Sequence, residues 1–126
     1  MSKSPTSLSL DALRKDGYDP WVVEIWNRFA TRPGGGKGVR VDLYNFADII
    51  AMRDDEGEEE ILLVQTTSYS CVSARRRKIL AEPRALKWLR AGGTIEIHGW
   101  HKKAPPGKTR KLWTCRTVTI TEEDFN

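Results

Sequence analysis

Cysteine and histidine are scarce in this chain, and that scarcity limits the sites it can build. The 126 residues include two cysteines and two histidines. Cys71 and Cys115 do not form the CxxC spacing of zinc sites, so we expect no zinc centre. One possible cysteine pair is too few for a disulfide framework, and we expect both thiols to be reduced.

Long apolar runs are also missing. No apolar stretch approaches the roughly 20 residues that a membrane-spanning helix needs, and the first ten residues do not resemble a secretory signal. We therefore expect no membrane partner and a cytoplasmic location. Hydrophobic residues make up 39% and charged residues 30% of the chain, which is typical of a globular protein, and the length fits one domain.

Acidic residues are nearly absent from most of the second half. Residues 61–121 carry 13 lysines or arginines against two acids, Glu82 and Glu96, a net charge of +11. Residues 1–60 carry a net charge of −4 and the last five residues −3. This asymmetry predicts a polyanionic partner. The alternative is a basic surface that faces solvent without a partner.

The first part of the chain is predicted to be helical. Residues 1–9 are rich in serine, and we expect a disordered tail there, followed by the folded domain over residues 10–126. Asp19 and Pro20 are a typical helix start. Val22, Ile25, Trp26 and Phe29 then follow at helical spacing, which predicts a core-facing side. A flexible, glycine-rich loop over residues 32–38 ends this helix.

Strands and helices alternate in the rest of the chain. Predicted strands cover residues 39–43, 46–52, 61–67, 94–100 and 112–120, and predicted helices cover residues 73–80 and 82–91. A symmetric hairpin around the acidic turn pairs Met52 with Ile61, Ile50 with Leu63 and Asp48 with Gln65. The expected fold is a single α/β domain with a mixed central sheet flanked by helices.

Asp48 is the first candidate functional residue. It lies within the apolar run 46–51, where an ionised carboxylate is costly unless it pairs, accepts hydrogen bonds or binds a metal. The predicted register places Gln65 opposite, so two polar side chains meet on one face. The alternative is that the hairpin simply leaves the core here. Asp42 is interpreted as a solvent-facing strand residue rather than a ligand.

Two segments of the sequence resemble a known family. Residues 46–51, a short acidic turn and residues 61–68 resemble the core of PD-(D/E)xK nucleases, in particular the small Holliday-junction resolvases. In that family a helix carries Glu, one strand carries Asp and the next carries Glu-x-Lys. The resemblance implies a restriction-endonuclease-like fold and a site for Mg²⁺ or Mn²⁺, which prefer oxygen ligands.

The resemblance also implies roles for individual residues. Glu24 would be the helix carboxylate, Asp48 the central ligand, and Gln65 and Thr67 would take the places of the second acid and the lysine. Gln65 brings no charge and Thr67 no cation. The catalytic cation would then come from the next helix, through Lys78 or Arg75, or the site would be inactive.

The expected function is a metal-dependent, structure-selective DNA endonuclease of the Holliday-junction resolvase type, acting as a homodimer on branched or duplex DNA. The alternative is a catalytically inactive nuclease-fold protein that binds nucleic acid. An RNA-binding domain is less favoured, because no RRM, KH or dsRBD signature is present. Ten basic residues are the expected nucleic-acid contacts: Lys37, Arg40, Arg75, Arg76, Arg77, Lys102, Lys103, Lys108, Arg110 and Lys111.

Overall fold

A mixed five-stranded sheet forms the centre of the fold. The computed structural model describes residues 3–125. Its strands are β1 (Asp19–Val22), β2 (Ile25–Thr31), β3 (Lys37–Val41), β4 (Ile49–Arg53), β5 (Glu60–Ser68), β6 (Thr94–Lys103) and β7 (Leu112–Ile120). Its helices are α1 (Pro5–Lys15), α2 (Val72–Leu80) and α3 (Pro83–Arg90), with short 3-10 turns at Tyr69–Cys71 and Glu122–Phe125.

The strand order in the central sheet is β1-β4-β5-β6-β7, and β2 and β3 form a separate two-stranded ribbon. Neighbours in the central sheet are antiparallel except β5 and β6, which are parallel. Parallel neighbours need a long crossover, and α2 and α3 supply it. The expected α/β class, with a mixed sheet and flanking helices in one domain, is confirmed.

The hairpin of β4 and β5 has the predicted register. Ile50 lies opposite Leu63 and Met52 opposite Ile61. Both faces of these strands are apolar because helices cover both sides. On one side α1 contributes Leu13 to a cluster with Leu62 and its neighbours. On the other side α2 and α3 cover Leu63. Burying one such leucine contributes about 1.5–3 kcal/mol.

The predicted helix after Asp19 is wrong, because the chain forms β1 and β2 there. Pro20 lies in an edge strand, where a missing N–H breaks no inner ladder. The expected core residues Ile25, Trp26 and Phe29 are exposed on the ribbon. Their aromatic and β-branched side chains favour strands. The pairing of β2 with β3 therefore outweighs the tendency toward a helix that the spacing of four apolar residues suggests.

The expected disordered tail over residues 1–9 is wrong from Pro5 onward. Ser4 caps α1 by accepting a hydrogen bond from the Ser7 N–H at 3.1 Å, and Pro5 follows at the first helical position. The first two residues of the expected tail lie outside the described residues. Ser9 is buried in the middle of this helix, where its Oγ accepts a hydrogen bond from Trp100 Nε1 at 2.8 Å. Because this polar residue interrupts the apolar side of the helix, the sequence pattern does not predict the helix.

The three helices of the described chain are short, with 11, 9 and 8 residues. None of them has both the length and the apolar character that crossing a bilayer would require.

Candidate metal and nucleic-acid site

Three carboxylates meet at one end of the sheet. One carboxylate oxygen from each of Glu24, Asp42 and Asp48 lies within 4.8 Å of the others. They line an open cleft of about 440 Å³ together with Gln65, Thr67 and other residues. Hard divalent cations take oxygen ligands of this kind. Acidic groups are common on proteins, so the surroundings of the cluster decide what it can do.

A strained turn brings Asp42 back to Asp48. Leu43 and Ala47 form an isolated bridge, with the Leu43 N–H donating to the Ala47 carbonyl at 3.0 Å. Between them Tyr44 and Asn45 have φ values of 55° and 67°. Two successive left-handed residues make the tight primed turn of β-hairpins. A left-handed tyrosine costs about 1–2 kcal/mol, and such strain tends to concentrate at functional sites.

Glu24 reaches the cluster from the segment between β1 and β2. The Val23 N–H donates to the Asp48 carbonyl at 2.9 Å and fixes the chain just before Glu24. Arg40 Nε lies 3.2 Å from Glu24 Oε1. The expectation that Glu24 lies on a helix is therefore wrong, although the residue itself lies in the cluster. Helix α1 does touch this site, where the Thr6 and Thr66 hydroxyls are 3.0 Å apart.

Asp48 is held rigidly by donors from β5. Its Oδ2 accepts hydrogen bonds from Gln65 Nε2 at 2.8 Å, from the Thr66 N–H at 2.8 Å and from Thr66 Oγ1 at 3.0 Å. The predicted contact between the Asp48 and Gln65 side chains is thus confirmed. The alternative, that the hairpin simply leaves the core at this point, is wrong, because Asp48 is only 6% exposed.

The same environment controls the charge of Asp48. Burial raises the pKa of its carboxyl, and the negative charge of Asp42 raises it further. The hydrogen bonds from Thr66 oppose both effects, and the resulting pKa is about 7. A cation held by the cluster would favour the ionised carboxylate. Near neutral pH the site is therefore balanced between holding a proton and holding a cation.

Gln65 has an unused acceptor. The side chain is 2% exposed, and its Oε1 has no hydrogen-bond partner among the described residues. Leaving a buried amide oxygen unpaired costs about 1–3 kcal/mol. Rotating the amide by 180° would exchange its oxygen and nitrogen, which puts the oxygen beside Asp48. A cation between the two residues would satisfy both oxygens.

Two basic residues of α2 approach the cleft. Arg75 lines it directly, and Lys78 Nζ lies 3.8 Å from Asp42 Oδ2. Thr67 is buried and uncharged. The two residues that the sequence analysis names as sources of a cation, Arg75 and Lys78, therefore both lie close to the carboxylate cluster.

The other expected nucleic-acid contacts fall into separate groups. Lys37 and Arg40 are on the ribbon, and Arg40 lines the cleft. On α2, Arg77 is exposed and Arg76 pairs with Asp124 at 3.1 Å. The others are exposed and lie at the turn of the β6–β7 hairpin: Lys102, Lys103, Lys108, Arg110 and Lys111. Trp113 lies there too, with Lys102 Nζ 5.2 Å from its ring centroid, whereas Trp100 uses its N–H inside the fold.

Asp42 is the residue that the sequence interpretation missed. It was assigned to a solvent-facing strand position, but it follows the end of β3 and lies in the cluster. Asn45, which tolerates the left-handed conformation, was the signal in the sequence for a tight turn between Asp42 and Asp48.

Comparison of the chain with protein-family models, curated proteins and solved structures gives no match.

Proposed function

We propose that this protein is a DNA endonuclease that depends on Mg²⁺ or Mn²⁺ and acts on branched or duplex DNA. The observation that carries the proposal is the convergence of Glu24, Asp42 and Asp48 in an open cleft. The order of elements also supports it. A strand that begins just after Asp48 pairs with a strand carrying Gln65 and Thr67, and a basic helix and a parallel strand follow.

The residues present fit a divalent cation. Glu24, Asp42 and Asp48 would hold it, and the Gln65 side chain would offer a fourth oxygen once its amide has rotated. When bound, such a cation supplies an activated water and offsets the charge that develops on a phosphate. The two donors from Thr66 keep Asp48 in place for this task, and they do not depend on which way the Gln65 amide is turned.

Basic side chains at the rim would hold the DNA backbone. Arg75 and Arg40 line the cleft, and a guanidinium can contact a phosphate through two parallel hydrogen bonds. Lys78 is close enough to Asp42 to place its ammonium group beside a bound phosphate. The net charge of +11 over residues 61–121 would extend this attraction beyond the cleft.

Two further points belong to the proposal. Cutting two equivalent strands of a four-way junction suits a two-fold symmetric homodimer, so we propose that state on DNA. We also propose a cytoplasmic location, because two cysteines are too few for the disulfide framework of a small secreted domain.

The second candidate is a nuclease-fold protein that binds DNA without cutting it. Arg40 and Lys78 already lie beside two of the three acids, and Gln65 and Thr67 bring no charge. These pairs neutralise part of the negative charge that would attract a cation.

A cleavage assay distinguishes the two candidates. Labelled single strands, duplexes and four-way junctions are incubated with Mg²⁺, Mn²⁺ or EDTA. We expect cleavage by the wild type with metal, none with EDTA and none by Asp48→Asn. Asp54→Asn, which changes an exposed acid in the β4–β5 turn, is the matched control and should cleave normally. Binding without cleavage under every metal would establish the second candidate.

A further inference from the structure

The ribbon of β2 and β3, residues 25–41, has an unusual surface. It contains four basic residues, Arg28, Arg32, Lys37 and Arg40, and no acidic residue. Large apolar side chains are exposed on it as well, with Trp26 57% and Phe29 74% accessible. Exposed aromatic groups together with one sign of charge mark an interaction surface rather than ordinary solvent-facing structure.

Trp26 is held in a fixed position although it is exposed. A Cβ added at Gly38 would lie 2.0 Å from Trp26 Cζ2, so the indole lies directly against the backbone of the facing strand. This packing restricts the rotamers open to the indole, while more than half of the side chain stays accessible. Little conformational freedom remains to be lost when a flat partner stacks on it.

Phe29 offers a second flat surface. Residues 28–30 lie where the register between the strands shifts, and the Phe29 N–H bonds to Asn27 Oδ1 at 3.1 Å. The Arg28 guanidinium lies 4.8 Å from the ring centroid. An aromatic ring beside a guanidinium is typical of surfaces that stack bases and hold the adjacent phosphate.

The ribbon is joined directly to the candidate site. The chain enters it from Glu24 and leaves it into Asp42, two members of the carboxylate cluster. Trp26 is the cross-strand partner of Arg40, so the two side chains share a face. Because Arg40 reaches Glu24 and lines the cleft, the face that carries Trp26 continues into the cleft.

We propose that the ribbon binds unpaired nucleotides, stacking one base on Trp26 next to the cleft and a further base on Phe29, and holding their phosphates with its basic residues. The inference rests on the proposed function and names the part of a branched substrate that the protein would recognise. A two-fold contact between ribbons would bring four positive charges of each copy together, and that repulsion favours a polyanionic occupant over a second copy.

The test measures binding in EDTA, so that it does not depend on cleavage. The probes are a fluorescein-labelled 20-nucleotide thymidine strand and a strand of equal length built from abasic units, which keeps the phosphates but has no bases. We expect Trp26→Ala and Phe29→Ala to weaken binding of the thymidine strand by about 5- to 150-fold, the factor for about 1–3 kcal/mol per stacked base, and to leave the abasic strand nearly unaffected.

Three controls complete the design. Trp21→Ala removes an indole that is 74% exposed on β1, outside the ribbon, and should change neither affinity. Trp26→Phe should recover much of the loss, because it keeps a ring. Lys37→Ala should weaken both strands alike and lower the salt dependence by about 0.7 in log–log slope. Folding of Phe29→Ala should be intact, since Phe29 is exposed.

Several results would overturn the inference. The wild type could fail to bind either strand, Trp26→Ala and Phe29→Ala could match Trp21→Ala, or they could weaken both strands equally. Sedimentation could instead show that these changes convert a dimer to a monomer without affecting oligonucleotide affinity, which would make the ribbon a subunit contact. If the protein cleaves DNA but gives any of these results, only the role of the ribbon is refuted. If the ribbon binds bases selectively but the protein cleaves nothing, only the nuclease function is refuted.

Discussion

Gln65 donates a side-chain hydrogen bond to the carboxylate of Asp48 across 2.8 Å, and the same oxygen accepts two more from Thr66. Three donors converge on one oxygen of a group that is nearly inaccessible to solvent. The negative charge of Asp42 raises the pKa of this carboxyl and so opposes its ionisation. The position of Asp48 is therefore fixed, while its charge depends on whether a proton or a cation occupies the site.

Stability should depend on pH through Asp48. The native state retains a proton on this carboxyl up to about pH 7, whereas the unfolded chain releases it near 3.8. The folded state therefore binds more protons between these values, and this group's contribution to the free energy of unfolding falls as pH rises. Between about pH 5 and pH 8 we expect the wild type to lose about 2–3 kcal/mol relative to Asp48→Asn.

Urea unfolding in EDTA at both pH values measures this difference. Asp48→Asn does not titrate and keeps an oxygen acceptor for Thr66, so it removes the dependence with little change in packing. Asp54→Asn, in an exposed turn, should behave like the wild type. Equal pH profiles for the wild type and Asp48→Asn would show that the carboxyl titrates in its ordinary range.

Cation binding should compete with the same proton. Below about pH 7, ionising Asp48 releases one proton per cation bound, so we expect the affinity for Mn²⁺ to rise about tenfold per pH unit and then to level off. Calorimetric titration at several pH values, in buffers of different ionisation enthalpy, would count the protons released. A pH-independent affinity, or one unchanged in Asp48→Asn, would place the cation elsewhere.

The hairpin and the crossover could be predicted from the sequence because their signals are local. The acidic turn fixes the register that places Ile50 opposite Leu63. Pro83 begins α3 and the left-handed Gly92 follows its end. The N-terminal part could not be predicted. Trp26 and Phe29 looked like core residues because aromatic side chains are usually buried, yet here they are exposed on a ribbon.

The site was only partly predictable for a related reason. Asp48 and Gln65 meet through strand register, which the sequence encodes. Asp42 is brought to the site by the left-handed turn that follows it, and Glu24 by the segment between β1 and β2. The geometry of both depends on contacts between distant segments. The sequence therefore predicts Glu24 as a ligand but places it on a helix that does not form. It does not predict Asp42 as a ligand.

Replacing Gln65 with glutamate should make stability depend on the cation. In the wild type the Gln65 amide donates to Asp48 at 2.8 Å. A carboxylate there would remove the donor and face a second acid, which we expect to destabilise the metal-free protein by about 1–3 kcal/mol. Mn²⁺ should raise the melting temperature of Gln65→Glu more than that of the wild type.

The control for this change is Gln65→Met, which removes the donor but adds no ligand charge. It should be destabilised without extra gain from Mn²⁺. Adding Thr67→Lys to Gln65→Glu creates the Glu-x-Lys pattern of PD-(D/E)xK nucleases, and under the proposed function we expect this double variant to cleave faster than the wild type. If Mn²⁺ stabilises Gln65→Glu and Gln65→Met equally, Gln65 is not close to the cation.

Adjacent arginines on α2 should separate DNA binding from stability. Arg75 lines the cleft, whereas Arg76 pairs with Asp124 at 3.1 Å near the end of the described chain. If the cleft follows the DNA backbone, Arg75→Ala should lower the slope of log affinity against log salt by about 0.9 on duplex DNA, the value for one phosphate contact. Arg76→Ala should leave that slope nearly unchanged and cost about 0.2–1 kcal/mol of stability, as expected for a solvent-accessible ion pair.

Anisotropy titrations over a range of salt concentrations measure the slopes, and thermal unfolding measures the stabilities. Asp124→Asn provides the matched control, because it should reproduce the stability loss of Arg76→Ala without touching the cleft, and combining the two changes should cost little more than either alone. Equal slopes for the wild type and Arg75→Ala would mean that phosphates do not enter the cleft from the α2 side. The basic surface that binds DNA would then have to be sought at the turn of the β6–β7 hairpin, where the exposed Lys108 and Arg110 lie.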